Sequence, residues 1–258
     1  MAEPARILQD QPLLAVESLT LRYQTHAALV TATEDVSFSV ERGERFVLLG
    51  PSGCGKSSLL KSVGGFIPPA SGRILVNGRP VTGPGPDRVM VFQEFDQLMP
   101  WKTVLDNVAF PLKVSGKAKT KREAEERALP YIDKVGLTKF ANSYPHTLSG
   151  GMKQRVAIAR ALAMEPEMLL MDEPFAALDA LTRRSMQSEL LRLWEEFHFT
   201  LMFVTHSIEE AVRVGQRIVL LSPHPGRVRD EFRPSPVEEA RALEQRIESM
   251  LFTDGAGI

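Results

Sequence analysis

The sequence contains little cysteine and no long apolar run. Cys54 is the one cysteine among 258 residues, which excludes an internal disulfide and a multi-cysteine metal site. Five scattered histidines do not support a zinc site. The longest apolar runs, such as FVLL and MLLM, have the length of strands and fall short of the roughly 18 residues that a membrane-spanning helix needs. These features predict a folded protein in a reducing compartment, without a membrane span.

An excess of positive charge is also missing. The chain has 31 Lys and Arg against 32 Asp and Glu, a formal net charge of -1, so no broad basic field is available to bind nucleic acid. Its first 16 residues include Glu3 and Asp10 and lack the basic and apolar regions of a signal peptide. With 43% hydrophobic and 24% charged residues, the composition is that of an ordinary globular protein of one large domain or two small ones.

Apolar patterning predicts an α/β fold with two kinds of strand. Residues 13–22 and 36–40 alternate apolar and polar side chains, which predicts an antiparallel edge sheet with one wet face. Continuous apolar runs predict parallel strands buried on both faces, and they lie at 46–49, 89–92, 168–171, 201–204 and 218–221. Helical patterns at 56–63 and 185–197 lie between them and indicate βαβ units.

Two other regions have a different character. Residues 103–165 have no convincing strand and include the run KTKREAEERAL, so we predict a mostly helical insert at about 94–165. We place one domain at 13–222, followed by a linker and an amphipathic tail at 223–258. Prolines and a glycine predict the linker, namely Pro223, Pro225, Gly226, Pro234 and Pro236. Helical spacing predicts a tail helix capped by Ser235, through Val237, Ala240, Leu243, Ile247 and Met250. This helix is expected to pack on the core, with contact to another subunit or regulation as alternatives.

The segment 50–57 reads GPSGCGKS and matches G-x-x-x-x-G-K-[ST] between a strand and a helix. Glycines let backbone N–H groups wrap around phosphate oxygens, and the positive end of the following helix points at them. Lys56 then reaches the β- and γ-phosphates, while Ser57 offers its hydroxyl to Mg²⁺. The alternative is a plain glycine-rich turn. The predicted nucleotide-binding residues here are Gly50, Pro51, Ser52, Gly53, Cys54, Gly55, Lys56, Ser57 and Ser58.

Residues 168–174 read MLLMDEP, a buried strand that ends in two carboxylates. Pro174 prevents extension of the strand, and acidic residues at the carboxyl end of a parallel strand face the ligand crevice. We predict that Asp172 belongs to the Mg²⁺ shell, through water, and that Glu173 orients and deprotonates an attacking water. The alternative is a solvated strand end.

Residues 148–152 read LSGGM and lead into the helical run KQRVAIARALAM, whose apolar face includes Val156, Ala159 and Ala163. Ser149 suits the N-cap of this helix. Two glycines and a hydroxyl at a helix N-terminus form an anion-binding nest. Taken alone, the segment is best explained as an ordinary capped helix, with an anion-binding site at Ser149, Gly150 and Gly151 as the alternative.

In this order the motifs resemble the nucleotide-binding subunit of ABC transporters. Besides the phosphate loop, LSGGM and MLLMDEP, the resemblance includes Gln93, the ALD at 177–179 and His206, and it covers about 13–221. It implies a P-loop NTPase core with a parallel sheet, an antiparallel β edge sheet and a helical insert. It also implies a head-to-tail homodimer with two ATP molecules, each held by the phosphate loop of one subunit and the LSGGM segment of the other.

The resemblance also implies roles for single residues. Tyr23 would stack on adenine, Gln93 would sense Mg²⁺ and link to the membrane subunits, Asp179 would touch the partner's loop, and His206 would contact the γ-phosphate. Glu173, His206 and Lys56 are then the expected catalytic residues, and Ser57, Gln93 and Asp172 the expected metal-site residues.

The sequence departs from the family's usual pattern at two positions. Met152 stands where Gln is most frequent, and Cys54 stands where many relatives have a small polar residue. A thioether cannot replace the hydrogen bonds of an amide. For Cys54 we weigh a tolerated small side chain against a thiol with a lowered pKa that is sensitive to alkylation.

Residues 92–112 and 221–228 resemble more narrowly the nitrate/sulfonate/taurine branch of bacterial ABC importers. This implies a role in uptake of a small anion, with two transmembrane permease subunits, an external solute-binding protein and a location at the cytoplasmic face of the inner membrane. Leu98, Met99 and Trp101 are predicted to form an apolar dock for a permease coupling helix, with packing inside the insert as the alternative. The alternative functions are an export ATPase and a non-transport ABC ATPase.

Overall fold

The computed structural model describes residues 11–24, 28–92, 97–234 and 240–252. In chain order the strands are β1 (Leu14–Gln24), β2 (Leu29–Val40), β3 (Arg45–Leu49), β4 (Ser71–Val76), β5 (Arg79–Pro80), β6 (Arg88–Val91), β7 (Met168–Asp172), β8 (Thr200–Thr205), β9 (Arg217–Leu221) and β10 (Val228–Phe232). The helices are α1 (Lys56–Val63), α2 (Val104–Val114), α3 (Lys121–Lys134), α4 (Gly150–Leu162), α5 (Ala180–Phe197), α6 (Ile208–Val214) and α7 (Ala240–Phe252). These elements belong to two units, one with the residues up to Gly85 and from Thr200 onward, and one over Pro86–Phe199.

The first unit contains the antiparallel sheet expected from the alternating pattern. Its strand order is β2-β1-β4-β5, and Leu14 pairs with Val40 on one side and with Val76 on the other. Apolar side chains of β1, such as Leu19 and Leu21, are fully buried. The period-2 pattern therefore identified the face of this sheet that packs on the core.

Strand β3, which precedes the phosphate loop, lies between two parallel neighbours in the same unit. Val47 pairs with Phe203 of β8 and with Ile218 of β9. From Phe46 to Leu49 every residue of β3 is buried, as expected for strands covered on both faces. Arg217, the first residue of β9, donates hydrogen bonds to the carboxylate of Glu44, which precedes β3, from Nε at 2.7 Å and from Nη2 at 3.0 Å.

The second unit contains a parallel pair of strands and the helical insert. Strands β6 and β7 pair in parallel, with Val91 opposite Met171. Helices α2, α3 and α4 follow β6, and three of the unit's helices begin at hydroxyl N-caps, namely Thr103, Thr120 and Ser149. Within 103–165 the structure contains helices and 3-10 turns and no strand, as predicted. Residues 94–96 of the predicted insert lie outside the described residues.

Two elements differ from the expectations. Helix α5 begins at Ala180, five residues before the predicted start at 185, because Asp179 caps it. The segment predicted as a proline-rich linker contains β10, which pairs antiparallel with β9, Phe232 lying opposite Ile218. Its prolines lie outside the strand, where they remove no ladder hydrogen bond.

The tail forms helix α7, as its spacing predicted. Leu243 and Ile247 are 2% and 0% exposed, and the guanidinium of Arg246 lies 5.3 Å from the ring centroid of Phe232. The helix thus packs on the first unit. Ser235 and Val237, the predicted cap and first apolar position, lie outside the described residues. In the part of the chain that is described, no helix is long and apolar enough to span a membrane.

Candidate functional site

The phosphate loop connects β3 to α1 and holds its lysine under the loop. Lys56 is 4% exposed, and its Nζ donates hydrogen bonds to the carbonyl oxygens of Gly50 and Pro51, both at 2.8 Å. Ser52 and Gly53 are exposed at the loop. A cationic ammonium is thereby fixed below the first turn of α1, where phosphate oxygens are favoured by the free N–H groups of a helix start.

Glycine is required at position 55 for two reasons. Gly55 has φ +96°, and it is the N-cap of α1. A Cβ there would lie 2.5 Å from Cγ2 of Thr33 and 2.6 Å from the carbonyl oxygen of Ala32. Both the left-handed backbone and this close approach exclude a side chain, so β2 sets the path of the phosphate loop. Ser57 and Ser58 follow in the first turn of α1, partly buried.

His206 leaves the sheet beside the phosphate loop. Leu49 of β3 pairs with Thr205 of β8, so Gly50 and His206 are the next residues at the carboxyl ends of two adjacent parallel strands. The Thr205 hydroxyl donates to Glu210 Oε2 at 2.5 Å and accepts from the backbone N–H of Ser207 at 3.0 Å. These bonds fix the turn that presents His206, whose side chain is exposed.

Tyr23 lies on β1, partly buried and opposite Val30. Two residues earlier on the same strand, Leu21 pairs with Thr33, the residue that approaches Gly55. This end of the antiparallel sheet is therefore close to the phosphate loop. Contact of Tyr23 with adenine stays a prediction.

The second unit holds the predicted carboxylates at the end of β7. Asp172 is the last residue of this buried strand and is 6% exposed. Glu173 follows with φ 42°, and its carbonyl oxygen accepts from the N–H of Ala176 at 3.1 Å. A left-handed backbone at a non-glycine residue costs about 1–3 kcal/mol and is most frequent at functional positions. Gln93, the other predicted metal-site residue of this region, lies outside the described residues.

The LSGGM segment begins α4 as predicted. Ser149 is the N-cap, and its Oγ accepts from the N–H of Met152 at 3.4 Å. Gly150 and Gly151 form the start of the helix. A Cβ on Gly151 would lie 2.9 Å from Cγ2 of Thr182 on α5, so the N-termini of α4 and α5 meet within this unit.

Asp179 has a structural function that the sequence analysis did not identify. Its Oδ1 accepts from the N–H groups of Leu181 and Thr182, at 3.1 and 3.0 Å. Hydrogen bonds from Thr182, through its side chain and its backbone, lower the pKa of the exposed Asp179 carboxyl. The signal was present as an Asp before the apolar-periodic run of α5. Contact of Asp179 with a partner's loop stays a prediction.

The structure excludes one interpretation of Cys54. Its side chain is 0% exposed, and a Cβ on Gly50 would lie 2.9 Å from its Sγ. A thiol that reacts readily must be accessible as well as ionised, so the hypothesis of an alkylation-sensitive Cys54 is wrong. The residue instead fills space beneath the loop, which is the alternative interpretation.

The predicted apolar dock is also wrong in one residue. Leu98 is 3% exposed and belongs to the core of the second unit, whereas Trp101 is 73% exposed. Met99 is held by the buried Asn107, whose Nδ2 donates to the Met99 carbonyl at 3.1 Å and whose Oδ1 accepts from the Met99 N–H at 2.9 Å. Leu98 therefore packs inside the insert, which was the alternative interpretation, and is not available as a docking surface.

A groove that the sequence analysis missed lies between α2 and α3, and Lys102, the residue after Trp101, is part of its lining. It has a volume of about 430 Å³, and two of its apolar side chains, Phe110 and Val114, are 41% and 69% exposed. The groove is lined by Lys102, Asp106, Ala109, Phe110, Lys113, Val114, Lys121 and Ala124. The available signal in the sequence was a lysine eight positions before Phe110 and another three positions after it. Lys121 and Ala124 lie on α3, and they reach the groove only because α3 packs on α2.

Each unit carries a side chain of a type that Mg²⁺ prefers. Ser57 of the first unit has a hydroxyl oxygen and Asp172 of the second has carboxylate oxygens, both of them hard ligands. Among the described residues, no group of three or more His, Cys, Asp or Glu side chains could hold a metal ion alone. Mg²⁺ in such sites normally keeps waters and takes its remaining ligands from the substrate.

These features define the class of protein. A buried strand, a glycine-rich turn with a loop-bound lysine, and a helix that starts at that lysine form the phosphate-binding element of P-loop NTPases. The profile of the ABC transporter family matches residues 33–176, and the chain belongs to this family. The prediction of the family and of an ABC nucleotide-binding fold is confirmed.

Individual relatives of this chain are also named as ATP-binding proteins. The chain is 51% identical over 203 residues to the taurine import ATP-binding protein TauB of Rhizobium johnstonii, covering 79% of this chain and 76% of that one. It is 49% identical over 218 residues to TauB of Burkholderia thailandensis, covering 83% and 82%. A solved dimeric structure of an ATP-binding cassette with ADP and Pi, in a post-hydrolysis state, superposes with a TM-score of 0.75 at 33% identity, covering 86% of this chain and 99% of that one.

Proposed function

We propose that this chain is the ATPase subunit of an importer for taurine or another small sulfonate. The buried Lys56 bound to the carbonyls of its own phosphate loop carries the ATPase part of the proposal. The sulfonate part is supported by about 50% identity to proteins named for taurine import. The transported solute need not touch any residue of this chain, because permease and solute-binding protein select it.

In the proposed reaction, ATP and water give ADP and phosphate. Backbone N–H groups of the phosphate loop and the Lys56 ammonium bind the phosphates, and His206 contacts the γ-phosphate. Glu173 accepts a proton from the attacking water, so that the oxygen attacks phosphorus as the bond to the leaving ADP breaks. Ser57, Asp172 and Gln93 would hold Mg²⁺, directly or through water, and the ion would supply positive charge against the phosphates.

The proposed working unit is a head-to-tail homodimer. Ser149, Gly150 and Gly151 at the start of α4 form an anion-binding helix N-terminus, which we assign to the γ-phosphate of the partner's ATP. Asp179 at the adjacent start of α5 would contact the partner's loop. The dimeric state of a cassette with 33% identity supports this arrangement. Closure on ATP and reopening after hydrolysis would then move the permease at the cytoplasmic face of the inner membrane.

We assign the groove between α2 and α3, with neighbouring Trp101, to the docking of a cytoplasmic permease loop. Exposed Phe110 and Val114 offer an apolar floor close in sequence to the exposed Trp101, and apolar side chains grouped with polar ones are typical of interaction surfaces. Lys102 lies 5.1 Å from the ring centroid of Phe110, and Lys121 is 3.3 Å from Asp106. The excess of lysines favours a permease segment that combines an apolar side chain with acidic residues.

Loss of this surface should uncouple the subunit from its permease. Trp101→Ala and Val114→Asp are each expected to lower complex yield and solute uptake at least about fivefold, because apolar anchors at the centre of an interface contribute most of its affinity. Co-purification with tagged permease measures the effect. Phe140→Ala, an exposed aromatic outside the groove, is the matched control. Assembly and uptake at parental levels in both variants would refute the assignment.

The proposed function is tested by uptake in cells that lack this chain. Labelled taurine, alkanesulfonates and nitrate are supplied to cells that carry no copy, the parental copy or Lys56→Ala. We expect sulfonate uptake to be restored by the parental chain alone. Restoration by Lys56→Ala would refute the ATPase assignment, and unchanged uptake of every solute in all strains would refute the sulfonate assignment.

A further inference from the structure

The turn between β9 and β10 lies against the back of the phosphate loop. We call residues 222–227, which read SPHPGR, the strap. At its centre, the N–H of Gly226 donates to the carbonyl oxygen of Ala32, and the Gly226 carbonyl accepts from the N–H of Glu34, both at 3.0 Å. Gly226 is thereby paired in parallel with Thr33 of β2. The strap is a one-residue extension of the antiparallel sheet.

Gly226 makes the closest approach to the loop. A Cβ on Gly226 would lie 2.0 Å from the carbonyl oxygen of Cys54 and 3.2 Å from its carbonyl carbon. Both contacts are to backbone of the phosphate loop, which cannot rotate away as a flexible side chain can. Thus the Cα of Gly226 rests directly on the peptide that precedes Gly55.

The residues of β2 that pair with Gly226 also contact the phosphate loop directly, at Gly55. The Ala32 carbonyl that accepts from Gly226 is also the atom 2.6 Å from a Cβ position on Gly55. Leu221 is the last residue of β9. Its Cβ and its carbonyl oxygen would each lie 3.2 Å from a Cβ built on Gly50. Gly55 is therefore backed by β2, Gly50 by β9 and Cys54 by the strap, and the two glycines have no free space for a methyl group.

The strap is itself held in shape. The N–H of Ser222 donates to the Arg227 carbonyl at 2.9 Å, and the N–H of Arg227 donates to Ser222 Oγ at 3.1 Å. On its outer side, Nη2 of Arg227 lies 2.7 Å from Oε2 of Glu34. These bonds close the turn and fix its register on β2. They therefore fix the position of the Gly226 Cα against the phosphate loop.

We propose that the strap positions the phosphate loop for ATP, and that Gly226 is the positioning residue through which it acts. Gly226 reaches the nucleotide only through the Cys54–Gly55 peptide. Any side chain at 226 must displace either the strap or the loop by about an ångström, and misplacement on that scale can cost about 10²-fold. The inference rests on ATP binding by the parental chain.

The test uses the full chain with Gly226→Ala, and Gly83→Ala as its control. A Cβ at Gly83 would meet no atom within 4 Å, so the two changes differ in the space available. Affinity for a fluorescent ATP analogue with Mg²⁺, KM and kcat for ATP, and the melting temperature are measured. For Gly226→Ala we expect Kd and KM to rise at least about tenfold with kcat within about twofold.

Cys54 supplies a direct report on the loop. It is the chain's one cysteine and is fully buried, so its reaction with a thiol reagent should be slow in the parental protein and in Gly83→Ala. Displacement of the loop in Gly226→Ala should accelerate this reaction at least about tenfold. The readout requires no bound nucleotide and no activity.

Each outcome is decisive. ATP affinity within twofold of the parental value in folded Gly226→Ala overturns the proposal, as does weaker binding with no change in Cys54 reactivity. If Gly226→Ala does not fold, Ser222→Ala loosens the strap without overpacking, and we expect a rise of about threefold in Kd; an unchanged Kd there overturns the proposal. Failure of the parental chain to bind the analogue would instead refute the proposed function.

Discussion

Glu173→Gln is expected to retain ATP binding and to lower the rate of hydrolysis by roughly 10²–10⁴-fold, the usual contribution of a general base. An amide has nearly the shape of the carboxylate but cannot accept the proton of the attacking water. The left-handed backbone of residue 173 is equally accessible to both side chains, so the fold should not change. ATP would then persist, and the proposed homodimer would accumulate in its closed form.

Phosphate release measures the rate, and size-exclusion chromatography with ATP and Mg²⁺ measures the dimer. Glu195→Gln, an exposed position on α5, makes the same chemical change away from the site and should hydrolyse ATP at the parental rate. Hydrolysis by Glu173→Gln at the parental rate would remove Glu173 as the base. A monomer with bound ATP would leave the base in place and refute closure of a homodimer.

Strands were predictable here because burial on both faces leaves a plain signal. The apolar runs at 46–49 and 201–204 became strands of five and six residues that contain them, and the run at 89–92 became the four-residue strand Arg88–Val91. The neighbours of these strands were not predictable. Nothing local in β3 specifies that Val47 pairs with both Phe203 and Ile218, since that choice depends on how helices cover the whole sheet.

β10 was missed because prolines dominated the local pattern. Val228 to Phe232 reads VRDEF, with three charged residues and neither alternation nor an apolar run. It forms a strand because β9 offers an open edge, on which Glu231 lies opposite Val219. An edge strand with one wet face can be charged, and single-sequence reasoning has no means to identify the edge that it joins.

For the site, the motifs identified the residue types and the structure supplied their supports. The sequence predicted that Lys56 and Gly55 would serve phosphate, but Gly226 and Ala32, which back the loop, are 170 and 24 residues from Lys56 along the chain and carry no motif. Cys54 shows the converse. Its neighbours in sequence suggested a reactive thiol, whereas its complete burial is a property of the folded chain that no local motif encodes.

Lys56→Ala should abolish measurable ATP binding, with Kd raised at least about 100-fold. The lysine is 4% exposed, and a positive charge next to phosphate oxygens is worth several-fold more in such a site than in water, where solvent screens it. Its loss also leaves the carbonyls of Gly50 and Pro51 without the two hydrogen bonds that Nζ now donates. Unpaired buried acceptors cost about 1–3 kcal/mol, and repulsion between them and the phosphates adds to the lost attraction.

Lys61→Ala is the matched control, because Lys61 lies in the last turn of the same helix. This substitution removes one positive charge from the chain but leaves the charge at the phosphate loop in place. Titration of both variants with the fluorescent ATP analogue separates the two contributions. Because attraction to phosphate is screened by salt while the Nζ bonds to the loop are internal, the parental Kd should rise with ionic strength, and the difference between parental and Lys56→Ala proteins should narrow. ATP binding by Lys56→Ala at parental affinity would show that the loop backbone alone holds the nucleotide.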